Sequence, residues 1–154
     1  MNTVLQARPE VRADRPLQPG VRIAADGKFL RAGEERLLIK GVAYGTFAPD
    51  PEGCQFPPLP QVREDFRLMA DHGVNTIRTY TPPRLDLLDE AARHGIRVMA
   101  GLPWSQHVAF LENRALKHSI RRETVSAVRE IGAHPAVAIL ALGNEIPPGV
   151  VRWH

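Results

Sequence analysis

From Val21 onward, apolar and polar residues alternate in short runs. Residues 21–24 and 28–31 flank Asp26-Gly27, and two such runs across an Asp-Gly pair predict a β-hairpin with a tight turn. Gly33 interrupts the pattern, residues 36–40 read as a further strand, and Gly41 leads into a short apolar segment at 42–45. Residues 46–60 hold five prolines and two acidic residues, which marks a long loop; long ordered loops in compact domains are often functional. Beyond it the period changes. Val62, Phe66 and Met69 recur at helical spacing within 59–72, with Arg63, Glu64 and Asp65 on the other side. Gly73 stops that helix and 74–80 reads as a strand. Leu85, Leu88 and Ala92 form the next helical stripe, and Gly95 ends it. Residues 96–102 are a nearly continuous apolar strand, 107–132 a helix with Ile120, Val128 and Ile131 facing inward, and 136–142 the most apolar strand of all.

Strands that alternate with helices imply a parallel sheet with right-handed crossovers, and strands apolar on both faces fit a sheet covered on both sides. The predicted class is α/β. A hairpin followed by four βα units opens either a doubly wound sheet or a (β/α)₈ barrel, whose complete form takes about 250 residues. The domain order is then a flexible arm over 1–20, a β-hairpin cap over 21–40, and four parallel strands with their helices over 41–154.

Composition removes several functions. The 154 residues are 44% apolar and 24% charged, as in ordinary globular domains. The net charge of +3 does not form a basic footprint, because cations and acids are interleaved; Lys117, Arg121 and Arg122 run straight into Glu123, as on a solvated helix face. No nucleic-acid partner is expected. The single cysteine, Cys54, allows no internal disulfide and reads as an incidental loop thiol. No run approaches the ~18 apolar residues of a membrane span. The polar segment 1–20 lacks the apolar centre of a signal peptide, so the default expectation is cytoplasmic. Neither a G-x-S-x-G elbow, a phosphate loop, a G-x-G-x-x-G turn nor H-E-x-x-H occurs, so neither a cofactor nor a metal is expected. His72 and His94 each precede a glycine at a helix end and read as capping cations on the sheet edge away from the chemistry.

Both candidate folds place active sites at the C-terminal strand ends. Those ends carry Tyr44, then Arg78 and Tyr80, then Trp104 with His107 just beyond, then Asn144 and Glu145. This set suits a sugar. Glycoside hydrolysis needs a carboxylic acid to protonate the leaving oxygen and a second carboxylate across the bond. A strand-end Glu can be raised in pKa by desolvation, Asn can bind a hydroxyl, Arg can keep a neighbouring carboxylate ionised, and Trp or Tyr can stack on a pyranose.

These residues also fall in motifs. Ala138-Ile139-Leu140-Ala141-Leu142-Gly143-Asn144-Glu145, preceded by Ala133-His134-Pro135, resembles the strand-four signature of clan A glycoside hydrolases, the retaining barrels that include the family 2 and family 5 enzymes. Gly73-Val74-Asn75-Thr76-Ile77-Arg78-Thr79-Tyr80 is similar to their strand two, and Ile39-Lys40-Gly41-Val42-Ala43-Tyr44 to their strand one after an N-terminal hairpin. The resemblance spans roughly residues 21–154 and lies nearest to bacterial family 2-type modules, some fused to a glycosyltransferase. It implies the first four βα units of a (β/α)₈ TIM barrel and a retaining β-glycosidase or glucanase-like activity. It implies Glu145 as acid/base, with Asn144 and Arg78 beside it. It implies Tyr44, Tyr80, Trp104 and His107 as contacts to a β-glucan-like oligosaccharide or glycoside. The chain departs from the pattern in two places. It stops before strand seven, which carries the nucleophile in that clan, and it offers Trp104 and His107 where a strand-three histidine is usual. The isolated chain is therefore expected to be inactive. The alternative is a half barrel that binds carbohydrate without hydrolysis, or that self-associates through its open sheet edges.

Overall fold

A computed structural model describes residues 16–103 and 112–146. The chain opens with an antiparallel sheet in the order β1-β2-β3, formed by β1 (Ile23–Asp26), β2 (Phe29–Ala32) and β3 (Glu35–Leu37). The expected hairpin is present, with Asp26 paired to Phe29 across its turn, but β3 extends it into a three-stranded meander. A second sheet is wholly parallel, in the order β4 (Gly41–Ala43), β5 (Thr76–Arg78), β6 (Arg97–Gly101), β7 (Val137–Ala141). The crossovers are α1 (Leu59–Asp71), α2 (Leu85–Arg93) and α3 (Arg114–Ile131). The sheet order follows the chain order, as in one sector of a barrel; a doubly wound sheet would reverse direction.

Strand alternation sets what each face meets. Ile77, Val98, Ala100 and Ala136 turn outward and are buried against the helices. Val62 and Phe66 of α1, Leu87, Leu88 and Ala91 of α2, and Ile131 of α3 complete that core. Each of the valine, leucine, isoleucine and phenylalanine side chains contributes about 1.5–3 kcal/mol by leaving water, and each alanine less. The stripe on α2 is displaced in part from the expected one. Leu88 is buried and Ala92 packs against the core as expected, but Leu85 is 46% exposed and Leu87 is buried in its place.

Polar residues fix the helix ends and the register. Gly73 and Gly95 take φ of 76° and 70°, the left-handed geometry that lets each helix turn straight into the next strand. His72 and His94 cap α1 and α2 at the lower sheet edge, where the strands begin. Asn75 pins the start of β5 to the approach of β4: its Oδ1 accepts from Lys40 N–H at 2.9 Å and its Nδ2 donates to Leu38 O at 2.8 Å. His134 Nδ1 accepts from Ala136 N–H at 3.2 Å, which leaves Nε2 as the donor to Asp89, at 3.1 Å, on α2. Between α1 and α2, the buried Glu90 carboxylate accepts from Arg93 at 2.7 Å and Arg63 at 3.2 Å, with His94 at 3.3 Å.

Tyr44 belongs to the helix-side core. It is 4% exposed, its ring packs on Phe66 and Phe47, and its hydroxyl donates to Asp65 of α1 at 2.7 Å. Burial and the Asp65 carboxylate push its pKa well above the usual tyrosine value. Strand alternation turns residue 44, expected as a substrate contact, toward the helix layer.

Candidate functional site

A cleft of about 640 Å³ opens at the C-terminal ends of the parallel strands. Arg78, Thr79, Tyr80 and Thr81 follow from β5, Gly101, Leu102 and Pro103 from β6, and Ala141, Gly143 and Asn144 from β7; Gly45 and Thr46 close it beside β4. All belong to strand ends or to the turns after them.

The centre of the cleft is a hydrogen bond that spans β6. Arg78 Nη2 donates to Asn144 Oδ1 at 2.6 Å, joining residues 66 apart in sequence. With Oδ1 occupied, the two Nδ2 hydrogens of Asn144 are left as donors toward a ligand. Arg78 Nε is buried without a partner, and among the described residues no carboxylate pairs with this guanidinium. Its carbon lies 5.1 Å from the centroid of the Tyr80 ring, a cation–π contact worth about 0.5–2 kcal/mol. Tyr80 is still 40% exposed, so part of its ring remains available for stacking.

Glu145 follows Asn144 directly. Its φ is 51°, and it is the one non-glycine with a left-handed backbone among the described residues. That conformation costs about 1–2 kcal/mol and concentrates at functional sites. Glu145 is exposed and does not itself line the cleft. The described lining of the cleft contains no aspartate or glutamate. Trp104 and His107 lie outside the described residues. Among those described, no cluster of His, Cys, Asp and Glu could hold a metal ion.

Three features were missed in the sequence. Thr79 and Thr81 line the cleft beside the predicted Arg78 and Tyr80, and Thr79 Oγ1 is buried without a partner. Cys54, an incidental loop thiol by sequence, accepts at its sulfur from Arg84 Nη1 at 3.3 Å across 30 residues. Gly101 has a steric role that its place in an apolar strand hides. A Cβ there would press on the Tyr80 carbonyl and come within 2.7 Å of Thr79 O. The obstacle is backbone and cannot rotate away. Gly101→Ala is therefore expected to destabilise the fold by about 1–3 kcal/mol and to displace Tyr80. Urea unfolding should show a lower midpoint at unchanged slope; an unchanged midpoint would contradict the close approach.

Residues 23–151 match the family described as "Glycosyl hydrolases family 2, TIM barrel domain". No curated protein matches the sequence. Among solved structures, a β-glycosidase from Bacteroides vulgatus superimposes with a TM-score of 0.65 at 18% identity, over 82% of this chain and 17% of the other. Lactobacillus rhamnosus β-glucuronidase gives a TM-score of 0.63 at 19% identity, over 82% of this chain and 22% of the other. Parabacteroides merdae β-glucuronidase gives 0.55 at 28% identity, over 76% and 14%. The chain thus spans between 14% and 22% of the length of these three structures.

Proposed function

The chain belongs to glycosyl hydrolases family 2, in its TIM-barrel domain, and from that premise we propose that it carries the acid/base half of a retaining β-glycosidase or glucanase-like site. The observation that carries this reading is the 2.6 Å bridge from Arg78 to Asn144, which fixes the residue before Glu145 at the strand ends. In this reading Glu145 protonates the leaving oxygen and then, as the conjugate base, activates water. Asn144 donates from Nδ2 to a sugar hydroxyl. Arg78 holds Asn144 in place and presents a positive field to a carboxylate across the bond. Tyr80, Trp104 and His107 contact the sugar, and the substrate is a β-glucan-like oligosaccharide or glycoside. The second carboxylate is the part of the site that the described cleft lining lacks.

Oligosaccharide binding tests the proposal without requiring turnover. Titration with cellotetraose, followed by intrinsic tryptophan fluorescence, is expected to saturate. Arg78→Met should weaken it about tenfold or more, because the charge-assisted bond that orients Asn144 is lost. Equal affinity in the variant, or no saturation in the parent chain, would contradict the assignment.

A second reading, self-association, is favoured by the terminal strands. The parallel sheet ends on β4 and β7. Val42 is exposed on β4, Leu38 is 70% exposed before it, and Leu142 is 71% exposed after β7. Unpaired strand edges with apolar flanks are templates for pairing. Two copies that each align β7 with the other's β4 would form a closed eight-stranded parallel sheet. Light scattering at micromolar concentration should report a dimer or larger species. A monomer that melts sharply and leaves a hydrophobic dye dark would contradict this.

A further inference from the structure

Arg97 opens β6 at the lower edge of the sheet, opposite the sugar cleft. Val98, its neighbour, faces the helix core, so Arg97 projects to the other face. There the N-terminal segment and the meander close over it. Pro16, Leu17, Val21, Ala32, Gly33 and Glu35 help to line a cavity of about 450 Å³ that contains Arg97.

Arg97 is only 9% exposed. Among the described residues no carboxylate and no hydrogen-bond acceptor meets its guanidinium. Burial accordingly pulls its pKa below the usual arginine value, with nothing to offset it. Arg97 itself forms part of the cavity wall. A buried and unpaired guanidinium is costly, and folded proteins resolve that cost with a counter-anion.

We propose that this cavity is a binding site for a small aliphatic monocarboxylate, held by Arg97. A planar guanidinium presents paired N–H donors that match the two oxygens of a carboxylate. Leu17, Val21, Ala32 and Pro16 form the apolar wall for a short alkyl tail. Glu34 and Glu35 also line the cavity. Their negative charges disfavour a phosphate dianion and leave a single negative charge as the better match for one guanidinium. Glu34 is held at 3.5 Å from Arg31, whereas Glu35 has no ion-pair partner among the described residues and is the competitor from within the chain.

The test uses the whole chain, ¹⁵N-labelled, titrated with sodium butyrate against sodium chloride at matched ionic strength. One arginine Nε–H resonance should shift saturably with butyrate and not with chloride. Inorganic phosphate should move it less. Arg97→Gln should remove that resonance and weaken butyrate binding, read by thermal shift, about tenfold or more. Arg78→Met, at the opposite edge, should leave it unchanged. The proposal is overturned if no arginine resonance saturates in the parent chain, or if chloride produces the same shift. It is equally overturned if butyrate binds only after Glu35→Gln, because Glu35 would then be the native counter-anion. If Arg97→Gln fails to fold, the titration of the parent chain decides alone.

Discussion

The 154-residue chain by itself should release no measurable phenol from an aryl β-glycoside. A retaining mechanism places a nucleophilic carboxylate about 5 Å from the acid/base. The described lining of the cleft offers Arg78, three threonines, Tyr80 and Asn144 as its polar side chains, and no second acid. Glu145 alone could supply proton transfer, worth about 10²–10⁴ in rate, but not the covalent intermediate through which retention proceeds. Glycosidic bonds need accelerations of 10⁶-fold or more, about 8 kcal/mol or more of barrier lowering, for turnover to be seen. Release of p-nitrophenol over hours should match buffer. Turnover that vanishes in Glu145→Gln would mean that these residues contain their own nucleophile, and the half-site account would be wrong.

Glu90→Ala should cost about 2–4 kcal/mol of stability, the largest single loss expected outside the apolar core. The Glu90 side chain is 5% exposed, and removing it takes the shared anion from Arg63 and Arg93 at once. Those arginines are themselves more than half exposed, so they regain water, which keeps the loss below that of a fully buried triad. The same site makes stability depend on pH. Burial alone would raise the Glu90 pKa, but the hydrogen bonds from Arg63 and Arg93 outweigh it and hold the carboxyl below its ordinary value of 4.5. The folded state therefore binds fewer protons than the unfolded chain in the acid range. Glu90's contribution is complete above the ordinary value and is lost as pH falls through the lowered folded value. Denaturant unfolding at pH 7 and in the acid limb should show the gap between parent and Glu90→Ala narrowing on acidification. A gap independent of pH would show that Glu90 acts through packing instead.

Much of the fold was legible because its determinants are local. His72-Gly73 and His94-Gly95 mark two helix-to-strand turns, and the apolar run at 136–142 holds the strand β7. The third strand of the meander was harder to place, since residues 35–37 pair with β2 through backbone groups that side-chain pattern hardly constrains. Orientation within a strand was less legible than its position. Tyr44 stands at the expected strand end, but whether it enters the cleft depends on the pleat, and its partner Asp65 lies 21 residues away. The contact from Arg84 to Cys54 was invisible for the same reason. At the site, sequence order brought Arg78, Tyr80 and Asn144 to one edge. It did not disclose that Arg78 spans to Asn144, nor that Glu145 sits exposed in a left-handed backbone conformation.

If Asn144 and Glu145 face a sugar held in the strand-end cleft, as proposed, a crystal structure of the chain with cellotetraose will show a pyranose between Tyr80 and Asn144. A hydroxyl will accept from Asn144 Nδ2, and a Glu145 carboxyl oxygen will lie within about 2.6–3.2 Å of a glycosidic oxygen. Sugar bound elsewhere on the chain, or sugar in the cleft with the Glu145 carboxylate turned away from every glycosidic oxygen, would contradict the proposal.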